Sequence, residues 1–270
     1  MSGVYDALER EALLAAKRIA HSCRHVVGAS RTKQVIFIAG VQRSGTNMVS
    51  DVLERSFETE VFRESDPKSH SEFQLRSPEE LHRLVQRSRA LNVVFKALCE
   101  SQAMARMLKD FAPAKAIWCV RHYADMTNSH LKKWSGCADK IGAIADGTCG
   151  ADWRAAEMSP EMHDLVRKTY RADLNDASAV ALFWYFRNMT FFEQGLDRDP
   201  RVRVIRYEQL VSRPQQEFER VFDFLGLAYR RRVSAKVHAR SVRKNPPPSI
   251  DADIASLCDQ MLGRFEACCE

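Results

Sequence analysis

Residues 35–54 read VIFIAGVQRSGTNMVSDVLE. A short Val/Ile/Phe run ending on a glycine has the composition of a strand buried on both faces, and the residues after Gly45 carry apolar positions at helical spacing. Strand, glycine-bracketed turn and helix in immediate succession form the opening unit of a parallel α/β sheet. Residues 91–97 (LNVVFKA), 114–121 (AKAIWCVR) and 202–208 (VRVIRYE) repeat the strand signal, and 59–64 (TEVFRE) carries a weaker one. Helical periods fill the intervals at 47–55, 78–87, 100–110 and 177–194. The alternation predicts a doubly wound sheet. Ligands of such sheets bind beyond the carboxyl ends of the strands, so the chemistry is expected just after Ala39, Phe95, Val120 and Ile205.

The chain has 270 residues, 45% of them hydrophobic and 28% charged, which suits one packed α/β domain spanning 1–270. Within it, 1–30 reads as an amphipathic N-terminal helix and 245–270 as a stiff NPPPS link followed by a last helix. Residues 131–175 lose the strand signal and read as a helical insertion between sheet elements. The net charge of +6 is spread along the chain, densest over 229–244, YRRRVSAKVHARSVRK. Such a run is a solvated face or a patch that neutralises an anion. No nucleic-acid recognition motif accompanies it, so nucleic acid is not expected as a partner. No stretch is apolar for long enough to span a membrane. The N-terminus lacks the basic start and apolar core of a secretion signal, and the eight cysteines form no CxxC pair. Free thiols in a cytoplasmic protein are the simplest expectation, although Cys137 and Cys149 flank a loop and a bridge between them stays open.

Gly40 and Gly45 allow a tight turn whose amides, with the start of the next helix, face an anion. Gln42, Arg43, Ser44, Thr46 and Asn47 supply further donors. A nucleoside-triphosphate loop would continue Gly-Lys-[Ser/Thr], with the lysine on the outer phosphates and the hydroxyl on Mg²⁺. Here Thr46 occupies the lysine position and the basic residue, Arg43, precedes the second glycine. The loop keeps a phosphate cradle without the usual lysine and with no evident metal partner. A second motif, AIWCVRHYADMTNSH (116–130), places Arg121 at a strand's end and Ser129 two turns into the following helix. A guanidinium and a hydroxyl so placed can converge on one phosphate.

The strand–GVQRSGT–helix unit, VRHYADMTNS, and RVIRYEQLVSRPQQEFERVFDFLGL, in that order, resemble the PAPS-dependent sulfotransferases. The resemblance runs from Gln34 to Leu227 and implies a three-layer P-loop-like fold. Its central, mainly parallel sheet has four to five strands flanked by helices, and the insertion lies over the acceptor site. It also implies 3'-phosphoadenylyl sulfate (PAPS) as donor, with no metal required. Gln42, Arg43, Ser44, Gly45, Thr46 and Asn47 would hold the 5'-phosphosulfate, Arg121 and Ser129 the 3'-phosphate, and Tyr207 the nucleotide side. Arg243 and Lys244, in VRKN, match a late Arg-Lys-Gly element on the 3'-phosphate, with Asn245 in place of Gly. Many small-molecule members carry a catalytic His in a KTH stretch. This chain reads KAL, so Lys96 matches and Leu98 replaces the His. Branches with Arg in the loop use a Glu at the end of the next β segment, which points to Glu64; Asp66 and His70 are the other candidates for the base.

The reaction implied is in-line transfer of a sulfonate to a hydroxyl, with Arg43 on the bridging oxygen, Lys96 on the sulfonate and Glu64 taking the proton. The acceptor is expected to be a small-molecule, lipid-like or carbohydrate hydroxyl. Trp134, Trp153, Met158 and Met162 of the insertion suit an amphipathic alcohol and a carbohydrate equally. A P-loop kinase or nucleotide triphosphatase, and a non-catalytic nucleotide-binding protein on the same scaffold, stay open as alternatives. A homo-oligomer is possible.

Overall fold

A computed structural model describes residues 2–26, 32–238 and 242–268. Residues 27–30 of the expected first helix, 239–241 of the basic run, and 269–270 lie outside the described residues. Among the described residues there are seven strands: β1 (Gln34–Gly40), β2 (Thr59–Phe62), β3 (His70–Ser71), β4 (Gln74–Leu75), β5 (Asn92–Lys96), β6 (Ala114–Val120) and β7 (Val202–Arg206). The helices are α1 (Ser2–Val26), α2 (Thr46–Glu54), α3 (Pro78–Arg87), α4 (Met104–Asp110), α5 (Tyr123–Leu131) and α6 (Cys137–Ala145). They continue with α7 (Pro160–Thr169), α8 (Asp176–Glu193), α9 (Tyr207–Ser212), α10 (Pro214–Leu225) and α11 (Ala252–Ala267).

Five strands form one parallel sheet in the order β2-β5-β1-β6-β7, while β3 and β4 make a separate antiparallel hairpin. Successive side chains of each strand point to opposite faces, and both faces are covered. Val35, Phe37, Ala39, Phe95 and Trp118 pack under α8, α5, α6 and α11. Ile36, Ile38, Val94, Ile117 and Ile205 pack under α2, α9 and α10. This double burial is why the strands read as continuous apolar runs, and it produces the three-layer α/β fold expected. Helix α8 is apolar nearly all round because it lies inside its layer, fastened to the sheet by Trp118 Nε1–H donating to Asn188 Oδ1 (3.2 Å). Helix α1 is fixed by Arg10, whose Nε and Nη2 each donate to the buried Glu54 carboxylate at 2.8 Å.

Two expectations are corrected at strand ends. The last strand stops at Arg206 rather than Glu208, because Tyr207 and Glu208 turn into α9. There the Glu208 carboxylate accepts the His122 amide (2.9 Å), a bond that an extended chain would forfeit. The second strand ends at Phe62, leaving Glu64 in the turn beyond it. The β3–β4 hairpin had no counterpart in the sequence reading: two residues per strand show no periodicity. Cys137 and Cys149 carry free thiols. Among the described residues no helix is long and apolar enough to cross a membrane.

Gly40 closes β1 at φ +119°, and a Cβ there would meet the Cys119 carbonyl oxygen of β6 at 2.4 Å. Gly40→Ala is therefore expected to lose about 2–4 kcal/mol from backbone strain and overpacking combined. Urea unfolding should show a lower midpoint with an unchanged slope.

Candidate active site

The carboxyl ends of all five parallel strands open on one edge, and a cavity of about 620 Å³ lies there. The loop after β1 is short and bent. Arg43 sits at φ 68° and Gly45 at φ 94°, so the chain reverses into α2. A side chain at Gly45 would strain this turn and force the Tyr207 ring to move, because a Cβ would lie 2.6 Å from it. No side chain caps α2, and its first intrahelical bond runs from the Val49 amide to the Gly45 carbonyl. The amides of Thr46, Asn47 and Met48, residues that line the cavity, thus stand at the positive end of the helix. Ser44 Oγ is buried without a hydrogen-bond partner. A buried hydroxyl and open amides at a helix start are the donor set that an oxyanion group satisfies.

Two basic side chains lock this loop to the second motif. Arg43 Nε donates to Ser129 Oγ (3.0 Å), and Arg121 Nη1 donates to the Arg43 carbonyl (3.2 Å). Arg121 also lies 4.5 Å over the Tyr207 ring. Lys96, at the end of β5, donates from Nζ to both Asn47 Oδ1 and Glu64 Oε2, each at 2.6 Å. The lysine is 4% exposed and the glutamate 23%, so this ion pair is largely shielded from water.

Of the candidates read from sequence, Gln42, Arg43, Gly45, Thr46, Asn47, Glu64, Lys96, Arg121, Ser129 and Tyr207 all line the cavity. Ser44, within the loop, is buried and does not line the cavity surface. Arg243 and Lys244 are not brought in. They are exposed on a strap crossing α5, where the Arg243 amide donates to Asp125 Oδ2 (2.9 Å) and Lys132 to Asn245 Oδ1 (2.9 Å). Neither Asp66 nor His70 lines the cavity. His70 is buried, with Nδ1 against Ser69 Oγ (2.7 Å) and Nε2 against the Lys96 carbonyl (3.0 Å), and burial holds its pKa below the usual imidazole value.

Several lining residues were not anticipated. The hairpin brings Glu72 and Phe73, α5 brings His130, and α6 brings Lys140. Burial, followed by the charges of Arg154, Lys140 and Arg43, pushes the His130 imidazole down to about 4. Beneath the cavity, the fully buried Arg187 of α8 donates to Gln102 Oε1 (2.6 Å) and the Leu98 carbonyl (2.9 Å) and stacks on Trp153. It joins the helix, the segment after β5 and the insertion into one wall. No sequence signal marks Arg187, since a lone arginine in an apolar helix is identified as a tether only by its partners.

A parallel α/β sheet with a phosphate-type loop and a guanidinium–hydroxyl pair on the next strand-to-helix turn defines a nucleotide-dependent group-transfer scaffold. Residues 33–247 match the sulfotransferase domain model, and the chain belongs to that family. Among solved structures it is similar to the sulfotransferase domain from the curacin biosynthetic pathway. That likeness has 17% identity and a TM-score of 0.52 over 86% of this chain and 99% of that one. A sulfotransferase from Alicyclobacillus acidocaldarius is 18% identical over 89% of this chain and 96% of that one, with a TM-score of 0.49. No curated protein gives a significant match.

Glu100 ties the hairpin to the wall. Its Oε1 accepts the Leu75 amide (2.8 Å), Oε2 is buried without a partner, and burial raises the carboxyl to about 7. Because the folded value lies above the unfolded one, this group stabilises the fold fully below the ordinary carboxylate range. The contribution is lost as pH rises through about 7. Melting temperature is expected to fall between pH 4.5 and 7 in the native protein relative to Glu100→Gln, whose amide keeps the Leu75 bond without titrating.

Proposed function

We propose that the protein transfers a sulfonate group from PAPS to a hydroxyl of a small-molecule acceptor, releasing 3',5'-ADP. The observation that carries this reading is the joined pair of bonds Arg121–Arg43 carbonyl and Arg43–Ser129, which tie two separate motifs together at one cavity. The residues fit the donor. Ser44 Oγ and the amides at the start of α2 would take the 5'-phosphosulfate; Arg121 and Ser129 would take the 3'-phosphate, with Tyr207 beneath the guanidinium.

In this reading the acceptor oxygen bonds to sulfur as the sulfur–oxygen bond to the 5'-phosphate breaks. The acceptor's proton passes to Glu64, and the electron pair of the broken bond leaves on the nucleotide. Positioning and charge stabilisation provide most of the acceleration, as in phosphoryl transfer. Arg43 offsets charge on the bridging oxygen and Lys96 on the sulfonate. What supports Glu64 as base is its place at the cavity, 2.6 Å from Lys96, which orients the carboxylate. His70 has both ring nitrogens engaged inside the protein. Asp66 Oδ1 accepts the Lys68 amide (3.0 Å) away from the cavity.

Glu64→Gln is expected to lower turnover by about 10²–10⁴-fold, the usual worth of a general base. Its 3',5'-ADP affinity, read by calorimetry, should stay near that of the native protein; an equal loss of binding would place Glu64 in the donor site instead. Arg121→Ala should weaken 3',5'-ADP by about 1.5–3 kcal/mol, with ATP–Mg²⁺ giving no comparable thermal stabilisation of the native protein. Stabilisation by ATP–Mg²⁺ and none by 3',5'-ADP would contradict the donor assignment.

A further inference from the structure

The donor assignment uses three of the six basic residues that line the cavity, Arg43, Lys96 and Arg121, and leaves Lys133, Lys140 and Arg154. The lining carboxylates are Glu64, already paired with Lys96, and Glu72 at the tip of the hairpin. Arg154 is matched by a bidentate contact with Asp152 (2.9 and 2.8 Å). Lys133 and Lys140 form no ion pair among the described residues, and Lys133 lies 4.9 Å over the Trp134 ring. His130 lies beside these cations. Its ring sits 4.8 Å from Trp134, its Nδ1 is buried without a hydrogen-bond partner, and burial, followed by the charges of Arg154, Lys140 and Arg43, holds it neutral against the opposing charge of Asp176. This side of the cavity thus carries positive charge that neither the protein nor the donor assignment neutralises.

The same region exposes apolar surface. Phe73 is 67% exposed and Trp134 38%, two of the four large hydrophobic side chains exposed among the described residues. Phe73 owes its place to an unusual turn. Glu72 (φ 50°) and Phe73 (φ 67°) are both left-handed, the conformation that two-residue hairpins normally assign to Asn-Gly. L side chains adopt it at an energetic cost, and such strain gathers at binding sites. The hairpin is not loose: the Arg76 amide donates to the Ser69 carbonyl (2.9 Å) and the Leu75 amide to Glu100 (2.8 Å). Exposed apolar groups held rigidly at a cavity are surfaces for a ligand.

We propose that the acceptor is an anionic amphiphile: a hydroxyl compound whose aromatic or aliphatic body packs on Phe73 and Trp134 while a negatively charged group rests against Lys133 and Lys140. This rests on the sulfonate-transfer reading and narrows its substrate class. It separates an amphipathic acid from the neutral alcohol and the neutral carbohydrate that the aromatic residues alone would accept equally.

Two acceptor sets of matched shape test it with labelled PAPS. One is 4-hydroxyphenylpropionate, 4-propylphenol and tyramine; the other is 10-hydroxydecanoate and 1-decanol. The acids are expected to show kcat/KM at least about tenfold above the neutral members, with tyramine lowest, a discrimination normal for charge complementarity at a partly shielded site. In Lys133→Glu/Lys140→Glu, tyramine should overtake the acid while 3',5'-ADP affinity stays within about twofold. Phe73→Ala should raise KM for the acid several-fold with kcat retained, and Phe73→Leu should restore it. Binding is read independently of turnover by the His130 ring resonance: with 3',5'-ADP present, adding 4-hydroxyphenylpropionate should raise the imidazole pKa. Equal use of neutral and acidic acceptors, an unchanged preference after charge reversal, or neither turnover nor a His130 shift despite 3',5'-ADP binding each overturns the proposal. Failure of 3',5'-ADP to bind overturns the donor reading itself, and this inference with it.

Discussion

At the end of β6 a single buried guanidinium determines where the rest of the site can be. Arg121 donates to the carbonyl of Arg43, lies over Tyr207, and has its own carbonyl occupied by Trp184 Nε1–H at 3.0 Å. One residue therefore joins the loop after β1, the start of α9 and the inner helix α8. The loop is held with Arg43 left-handed, so that its side chain reaches Ser129 and its neighbours' amides face the cavity. The close approach of Gly40 to Cys119 sets the spacing of the two strands that carry these groups. Burying a charge is costly, and these contacts offset part of that cost. The same contacts make the arrangement stiff.

Around that lock the site separates charge by function. Lys96 and Glu64 form a shielded pair at the cavity, with the Lys96 ammonium shared between Glu64 and Asn47. Arg187 below is fully buried and burial lowers it to about 10, still protonated at neutral pH, so it acts as a tether for the segment after β5. His130 is likewise pushed down, to about 4, by burial and then by the cations around it, and stays neutral. Neighbouring groups with such different environments are the mark of a site built for charged ligands rather than of an ordinary core.

Much of this was legible beforehand. Strand composition located all five members of the sheet, since residues buried on both faces must be apolar at every position. The strand-end rule then located the loop and Arg121, and the family resemblance pointed to Lys96 and Tyr207. Ser129 followed from helical spacing after Arg121. Arg243 and Lys244 were read as donor ligands, yet the fold leaves them exposed on a strap over α5. Their motif specifies residue type and leaves the path of the loop undetermined. The hairpin was invisible because its turn uses Glu-Phe, a pair without turn signal, and because two-residue strands have no period.

The sequence by itself determined the layers, the strand directions and the residues able to grip an anion, because each rests on local pattern: burial on two faces, glycines at a turn, a basic residue at a strand's end. Only the tertiary structure decided which of them share one cavity and what lines its far wall. Phe73, His130 and Lys140 come from three separate elements distant in the chain and line one cavity, and Arg187 of a fourth stacks on the lining Trp153 from beneath. Such long-range juxtaposition leaves no periodic trace in any short stretch, so it has to be read from the folded molecule.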